Sequence, residues 1–209
     1  MLTVLYNRGG NMQLGVTLIE LLLAIIIFSI LIAVGAPNFM TWLQNGQIRT
    51  ASESIVNGLQ RARGEAVSRN SLARFYLCGG SSGDSTWAVL AASAPAAAQP
   101  CPGSPSVAGY ELVDSHLGSE GSPNATITVT QATTPATTYD ALANPITYDG
   151  LGRVTPPQPA DIIINVQDSK GGSCMPGGPM RCMDIIVSTG GQARMCNPAY
   201  NKANNPQGC

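Results

Sequence analysis

Charged residues are scarce in this 209-residue chain, where aspartate, glutamate, lysine and arginine together make up 11% of the sequence. With 44% hydrophobic residues, this low charge excludes a chain kept disordered by charge repulsion. The 11 lysine and arginine residues are balanced by 12 acidic ones, which argues against a polybasic nucleic-acid binder. Only one segment is long and apolar enough to span a bilayer, which argues against a polytopic membrane protein.

Histidine and closely paired cysteines are also lacking. His116 is the sole histidine and the six cysteines include no C-x-x-C pair, so the usual spacings of zinc and thioredoxin sites are missing. Neither 79–83 nor 171–178 is followed by the Gly-Lys-Ser/Thr of a phosphate-binding loop, and both are predicted to be flexible turns. Asp114 and His116 are expected on a surface loop. We therefore predict no enzyme activity, no cofactor and no metal.

The one long apolar run covers residues 16–36. Fourteen of its 21 residues are leucine, isoleucine, valine or phenylalanine. As a helix it would be about 32 Å long, close to the hydrocarbon thickness of a bilayer. The run is too long for the apolar region of a secretory signal peptide, and no A-x-A cleavage site follows it closely. It is predicted to anchor the chain in a membrane.

One charge, Glu20, interrupts this run. A carboxylate at the centre of a bilayer costs about 2.5 to 3.5 kcal/mol, and less near the end of the span. An ionisable residue in such a place indicates a function and requires a partner of opposite charge. A simple membrane anchor explains the length of the run but not Glu20, nor Gly15 directly before the run.

The segment GVTLIE at residues 15–20 resembles the cleavage signal of type IV pilins and of type II secretion pseudopilins. The resemblance implies that prepilin peptidase cuts after Gly15 and methylates the new amino terminus at Val16, where the family usually has phenylalanine. Residues 1–15 would be the leader, and the sequence leaves open whether the first methionine or Met12 is the start.

The resemblance also implies roles for Glu20 and Pro37, which become the fifth and twenty-second mature residues. In a stack of such helices, the new ammonium group of one subunit can meet Glu20 of the next, so Glu20 would fix the register of assembly. Pro37 lacks a backbone N–H and is expected to kink the helix. Residues 16–37 would form the transmembrane and filament-core half.

The helix is predicted to continue over residues 38–70 as its periplasmic half. Apolar residues spaced three and four apart form one helical stripe, which is expected to lie against a sheet. The stripe consists of Ile48, Ala51, Ile55, Leu59, Ala62 and Ala66. The charged residues between them are interpreted as a solvated face.

Residues 71–209 are predicted to form a β-rich head. Eight segments have strand character: 71–78, 85–91, 107–113, 125–130, 146–155, 161–166, 182–188 and 193–196. The segment 146–155 contains Asp149-Gly150, a hairpin signal. The most apolar segments, 161–166 and 182–188, are expected deep in the sheet, and the Ala/Pro/Ser stretch 92–105 on the surface. The fold class is α+β, a long helix on an antiparallel sheet, as in the pilin fold.

Two stretches of the head, ITYDGLGRVT at 146–155 and DIIVSTGGQARMCNP at 184–198, resemble the C-terminal region of FimT/FimU minor pilins and the GspH-type minor pseudopilin. The resemblance implies a minor pilin that takes part in initiating type IV pilus assembly, at or near the pilus tip. Its partners would be other minor pilins, the major pilin and the inner-membrane assembly platform. It would cross the bacterial inner membrane once, with a periplasmic head, before reaching the cell surface. A GspH-like pseudopilin of type II secretion is the first alternative.

A DNA-binding tip pilin for natural transformation is the second alternative. Some FimT-type pilins bind DNA through a Gly-Arg-x-Arg turn, and the matching stretch here is GQAR at 191–194. Gln192 replaces the first arginine, so only Arg194 remains as a DNA contact. Arg181 and Lys202 would supply further charge, since a site that follows the phosphate backbone uses several cations.

The six cysteines are predicted to form disulfides, because an even count in a chain translocated to an oxidising compartment is typical of them. Six cysteines allow 15 pairings. We expect the nearest-neighbour pairing, which would close the Ala/Pro/Ser loop, the glycine-rich loop and the tail: Cys78–Cys101, Cys174–Cys182 and Cys196–Cys209. Each bridge would contribute about 2 to 4 kcal/mol.

Overall fold

The structure is a computed structural model that describes residues 16–91, 101 and 111–209. The predicted leader with Gly15 and Met12, most of the stretch 92–105 and the start of the predicted strand 107–113 lie outside the described residues. The chain divides into two compact units, Met1–Met40 and Thr41–Cys209.

Helix α1, Leu18–Arg69, has capping groups at both ends. At its start, the Thr17 hydroxyl oxygen accepts a hydrogen bond from the Glu20 backbone N–H at 3.3 Å, as an N-cap does. At its end, Asn70 has a φ of 46°. The backbone N–H groups of Asn70 and Ser71 donate to the carbonyls of Val67 and Ala66, the Schellman pattern that stops a helix.

No single helix among the described residues meets the length and apolarity that a membrane crossing requires, whereas the bent pair Leu18–Ala33 and Asn38–Arg69 meets them together. Pro37 falls between the two segments of this pair. The kink expected at Pro37 stays a prediction.

The helix stripe predicted from the sequence is buried in the head. All six of its residues are at most 1% exposed. Gly58 lies on the same part of the helix, where a Cβ atom would come within 2.7 Å of the Phe75 ring. A glycine is therefore required at this position for the helix to approach the sheet closely.

The head contains two antiparallel sheets. Its strands in chain order are β1 Ala73–Leu77, β2 Ser82–Asp84, β3 Trp87–Ala91, β4 Glu111–His116, β5 Ala125–Gln131, β6 Thr137–Thr138, β7 Ile146–Tyr148, β8 Ile162–Asp168, β9 Met183–Val187 and β10 Ala193–Cys196. The first sheet has the order β4-β3-β1-β7 and the second the order β10-β9-β8-β5-β2, with β6 paired to β5. Apolar side chains of both sheets and of the helix stripe form one core.

Each of the eight predicted segments overlaps a strand, and the antiparallel α+β fold class is confirmed. β8 and β9, expected deep in the sheet, lie between β5 and β10. Two strands were not predicted. The turn predicted over 79–83 forms only in its first part, because Ser82 and Gly83 belong to β2, where they pair with Thr128 and Ile127 of β5. β6 has only two residues.

Three disulfides join neighbouring cysteines along the chain, with Cα–Cα distances of 5.6, 5.5 and 5.1 Å. They are Cys78–Cys101, Cys174–Cys182 and Cys196–Cys209. The last bridge ties the tail to β10, and Asn197 pairs with Gly208 beside it.

Candidate functional site

The first half of the helix presents apolar side chains on all sides. Thirteen large hydrophobic residues between Val16 and Ile32 are each at least 50% exposed. A protein surface rarely leaves so large an apolar area in water, and such areas mark contacts with lipid or with other proteins. This apolar helix surface, residues 16–32, is the first candidate functional site.

Glu20 is exposed on the apolar helix surface, four residues after Val16. It makes no ion pair within the described part of the chain, and its backbone is fixed at the capped start of the helix. A carboxylate surrounded by leucine and isoleucine requires a cation from outside this helix once water is removed. Its position suits a contact with a cationic group of a neighbouring helix.

The two head stretches that carry the family resemblance lie in direct contact. Gly191, in the turn between β9 and β10, has a φ of 84°, and a Cβ atom there would overlap the carbonyl oxygen of Gly152. The same carbonyl accepts a hydrogen bond of 3.0 Å from Nε of Arg63 on the helix. The helix, the turn that contains Gly152 and the turn between β9 and β10 are thus packed around one carbonyl group.

Asp149 organises the first of these turns. Its Oδ1 accepts hydrogen bonds from the backbone N–H groups of Leu151 at 3.0 Å and Arg153 at 2.9 Å. Its Oδ2 lies 3.1 Å from a guanidinium nitrogen of Arg153. The hydrogen bond from the Arg153 backbone is the largest cause that lowers the pKa of Asp149. The hairpin predicted at Asp149-Gly150 forms, with Tyr148 paired to Val154.

Arg194 lies exposed on β10, at the edge of the second sheet and opposite Ile186 of β9. The other two cations that were expected to contribute to DNA binding, Arg181 and Lys202, lie on different parts of the head. Arg181 precedes β9, where its backbone N–H donates to Oδ1 of Asn45, and Lys202 is in the tail. Gln192 of the matching turn is exposed.

The loop expected for Asp114 and His116 is wrong, because both belong to β4, which pairs with β3. The His116 ring is stacked on Trp87 with a centroid separation of 6.1 Å, and its Nδ1 is 3.8 Å from Oε2 of Glu120. The pairing of β4 with β3 and the contact with Trp87 hold this half-buried ring. The polar sequence around His116 does not predict either contact. No group of three or more metal-ligating side chains occurs within the described ranges.

An exposed ion pair joins the end of helix α1 to β4 of the first sheet, and the sequence does not predict it. Arg69 donates from Nη2 to Oε1 of Glu111 at 2.8 Å and also contacts Glu65. The hydrogen bonds from Arg69 lower the pKa of Glu111. The residues are 42 positions apart, so only the fold brings them together.

A long helix packed on antiparallel sheets, together with the prokaryotic N-terminal methylation motif matched over residues 10–36, defines a type IV pilin-like protein. The family model of the type II transport protein GspH matches residues 51–191. The chain belongs to this family and is a minor pilin or pseudopilin of the GspH/FimT/FimU type.

Two crystal structures of the type IV minor pilin FimU of Pseudomonas aeruginosa (strain PAO1) are similar to this chain at 16% sequence identity. The comparison covers 78% of this chain and 94% of FimU with a TM-score of 0.46 in space group P21. It covers 77% and 98% with a TM-score of 0.45 in space group P65. A comparison with curated proteins gave no match.

Proposed function

We propose that this protein is a minor pilin that takes part in initiating type IV pilus assembly and sits at or near the pilus tip. The observation that carries the proposal is the apolar helix surface, which lies within the matched methylation motif at residues 10–36. Burial of this apolar area in lipid would stabilise the membrane-bound protein, and burial against partner helices would then stabilise the assembled pilus. The mechanism is packing and not catalysis.

Processing would come first. Prepilin peptidase would remove residues 1–15 after Gly15 and methylate Val16. The mature chain would then consist of a transmembrane and filament-core helix at 16–37, the periplasmic half of the helix at 38–70 and the head at 71–209.

The mature protein would lie in the bacterial inner membrane with its head in the periplasm, where the three disulfides are able to form. It would move to the pilus through the inner-membrane assembly platform, in contact with other minor pilins and the major pilin. Glu20 would meet the amino terminus of a neighbouring helix and fix its register, because a carboxylate in an apolar bundle is stable only with a counter-charge.

The test is complementation of a deletion strain with the wild-type gene, with Glu20→Ala or with Glu53→Ala. Glu53 is a matched control, since it is on the same helix but outside the apolar surface and pairs with Arg49. Wild type and Glu53→Ala should restore surface pili, and Glu20→Ala should not. Full piliation with Glu20→Ala, at equal protein level, would contradict the role of Glu20.

A second function is favoured by the family description itself, which is that of a type II transport protein. In that case the protein would be a minor pseudopilin of type II secretion. The same strains distinguish the two machines, because the deletion would abolish secreted enzyme activity and leave surface pili intact. Normal pili and secretion with lost DNA uptake would instead indicate a DNA-binding tip pilin, with Arg194 as the next residue to change.

A further inference from the structure

Helix α1 holds a loop of the head at Asn45. Oδ1 of Asn45 accepts a hydrogen bond of 2.6 Å from the backbone N–H of Arg181. The residue directly after Arg181 forms the disulfide Cys174–Cys182, which closes the loop. The helix from Thr41 onwards and this loop belong to the same compact unit. The hydrogen bond and the disulfide together fix Arg181 beside the helix.

Two exposed cations, Lys170 and Arg181, lie in this loop. They are close in space because a Cβ atom at Gly171 would come within 2.6 Å of the Met180 side chain, and these two residues are their neighbours in the chain. Neither cation forms an ion pair within the described part of the chain. Asp168, the acidic residue closest to them in sequence, is only 5% exposed. The two positive charges are therefore not neutralised by a salt bridge.

Trp42 lies one helical turn before Asn45, and residues three apart on a helix are neighbours on its surface. Trp42 is 68% exposed, and the adjacent Leu43 is 38% exposed. Trp42 follows the apolar run 16–36 by six residues, which add at most ~9 Å along a helix. The headgroup layer on each side of a bilayer is ~5–8 Å deep. With the run in the hydrocarbon, Trp42 would lie at the level of the headgroups, where tryptophan is enriched because its ring is amphipathic.

We propose that Trp42, Lys170 and Arg181 form a docking surface for anionic phospholipid headgroups, which holds this side of the head on the membrane before assembly. The indole ring would lie at the boundary between acyl chains and headgroups, and the two cations would donate hydrogen bonds to lipid phosphates. Each cation near an anionic leaflet favours such docking about fivefold, so the pair favours it ~25-fold. The proposal rests on the membrane anchoring within the proposed function and not on pilus assembly.

Two observations favour a lipid surface over a nucleic acid. The docking surface adjoins the apolar run along the helix, and it includes an exposed aromatic ring beside Leu43, which a site that follows the phosphates of a DNA duplex does not require. Such a site uses several cations, whereas Arg194 lies apart from this loop on β10, at the edge of the second sheet.

The depth of Trp42 in the membrane is measured first. Trp87→Phe leaves Trp42 as the single tryptophan, since the chain has two. The full-length variant is reconstituted into phosphatidylcholine nanodiscs that carry bromine either near the headgroups or near the ends of the acyl chains. Quenching of Trp42 fluorescence should be at least twofold stronger with bromine near the headgroups. Stronger quenching from the chain ends would overturn the proposal. Quenching by neither lipid would overturn it too and would also contradict the membrane anchoring.

The role of the two cations is measured with the wild-type tryptophans in place. Nanodiscs of phosphatidylcholine alone are compared with nanodiscs of equal parts phosphatidylcholine and phosphatidylglycerol, both with a nitroxide-labelled headgroup. NMR relaxation of the residue 181 amide proton should be at least twofold faster with phosphatidylglycerol. Lys170→Gln combined with Arg181→Gln should remove this difference. Arg61→Gln, which removes an exposed cation ~24 Å further along the helix, should retain it. Equal relaxation of the wild type in both membranes would refute the docking surface.

Other occupants of the surface would give different results. If a short DNA duplex shifts the Arg181 amide signal while both membranes act alike, the cations belong to a nucleic-acid site and the proposal is wrong. A photo-crosslinking amino acid at Lys170 that captures another pilin in cells, and no lipid, would overturn it in favour of a subunit contact. The nanodisc measurements need no pilus, so they stand even if the deletion strain shows that the protein has no part in pilus assembly.

Discussion

Replacing Gly191 with alanine tests the contact between the two head stretches. At its φ of 84° an alanine is strained by about 1 to 2 kcal/mol. The new Cβ atom would also overlap the Gly152 carbonyl oxygen, which is held by Arg63 and has little freedom to move. Overpacking of this kind costs about 1 to 3 kcal/mol, so the total loss of unfolding free energy should be about 2 to 5 kcal/mol.

Gly172 provides the matched control, because its φ is 86° and a Cβ atom there would meet nothing within 4 Å. Gly172→Ala should therefore lose only the conformational part, about 1 to 2 kcal/mol. Urea unfolding of the full-length chain in detergent, followed by the fluorescence of the buried Trp87, measures both variants. If Gly191→Ala and Gly172→Ala lose the same free energy, the argument from the overlap with Gly152 is refuted.

The remaining predictions concern the core and two carboxylates. Leu59→Ala, at a fully buried position, should lower the unfolding free energy by about 2 to 5 kcal/mol, and Leu151→Ala, 70% exposed, should have little effect on urea unfolding. Arg69 lowers the pKa of Glu111, so the ion pair stabilises the head above the usual glutamate pKa and is lost on acidification. Glu111→Gln should remove that part of the pH dependence of the melting temperature, whereas an unchanged profile would contradict it. Burial raises the pKa of Asp184, so its ionisation destabilises the fold as pH rises. Asp184→Asn should be relatively more stable at pH 7 than at pH 3, and a constant difference between the two would contradict this.

Local sequence signals determined much of the fold. The spacing of the helix stripe from Ile48 to Ala66 predicted which residues are buried, since a period of 3.6 places them on one face. The strand character of 125–130 and 161–166 likewise predicted β5 and β8, and burial alternates along both strands because successive side chains point to opposite faces. The motif at residues 15–20 indicated the family before any tertiary contact was known.

The tertiary structure decided what depends on distant pairing. β2 forms a strand because it pairs with β5, with Ser82 opposite Thr128. The division of the strands into two sheets follows from their pairing order, which no local sequence pattern encodes. Arg63 of the helix donates to the carbonyl oxygen of Gly152, 89 positions further along the chain, so only the fold brings the two together. A side chain's neighbours across such distances are set by packing of the whole head, whereas period and motif report only on the nearest residues along the chain.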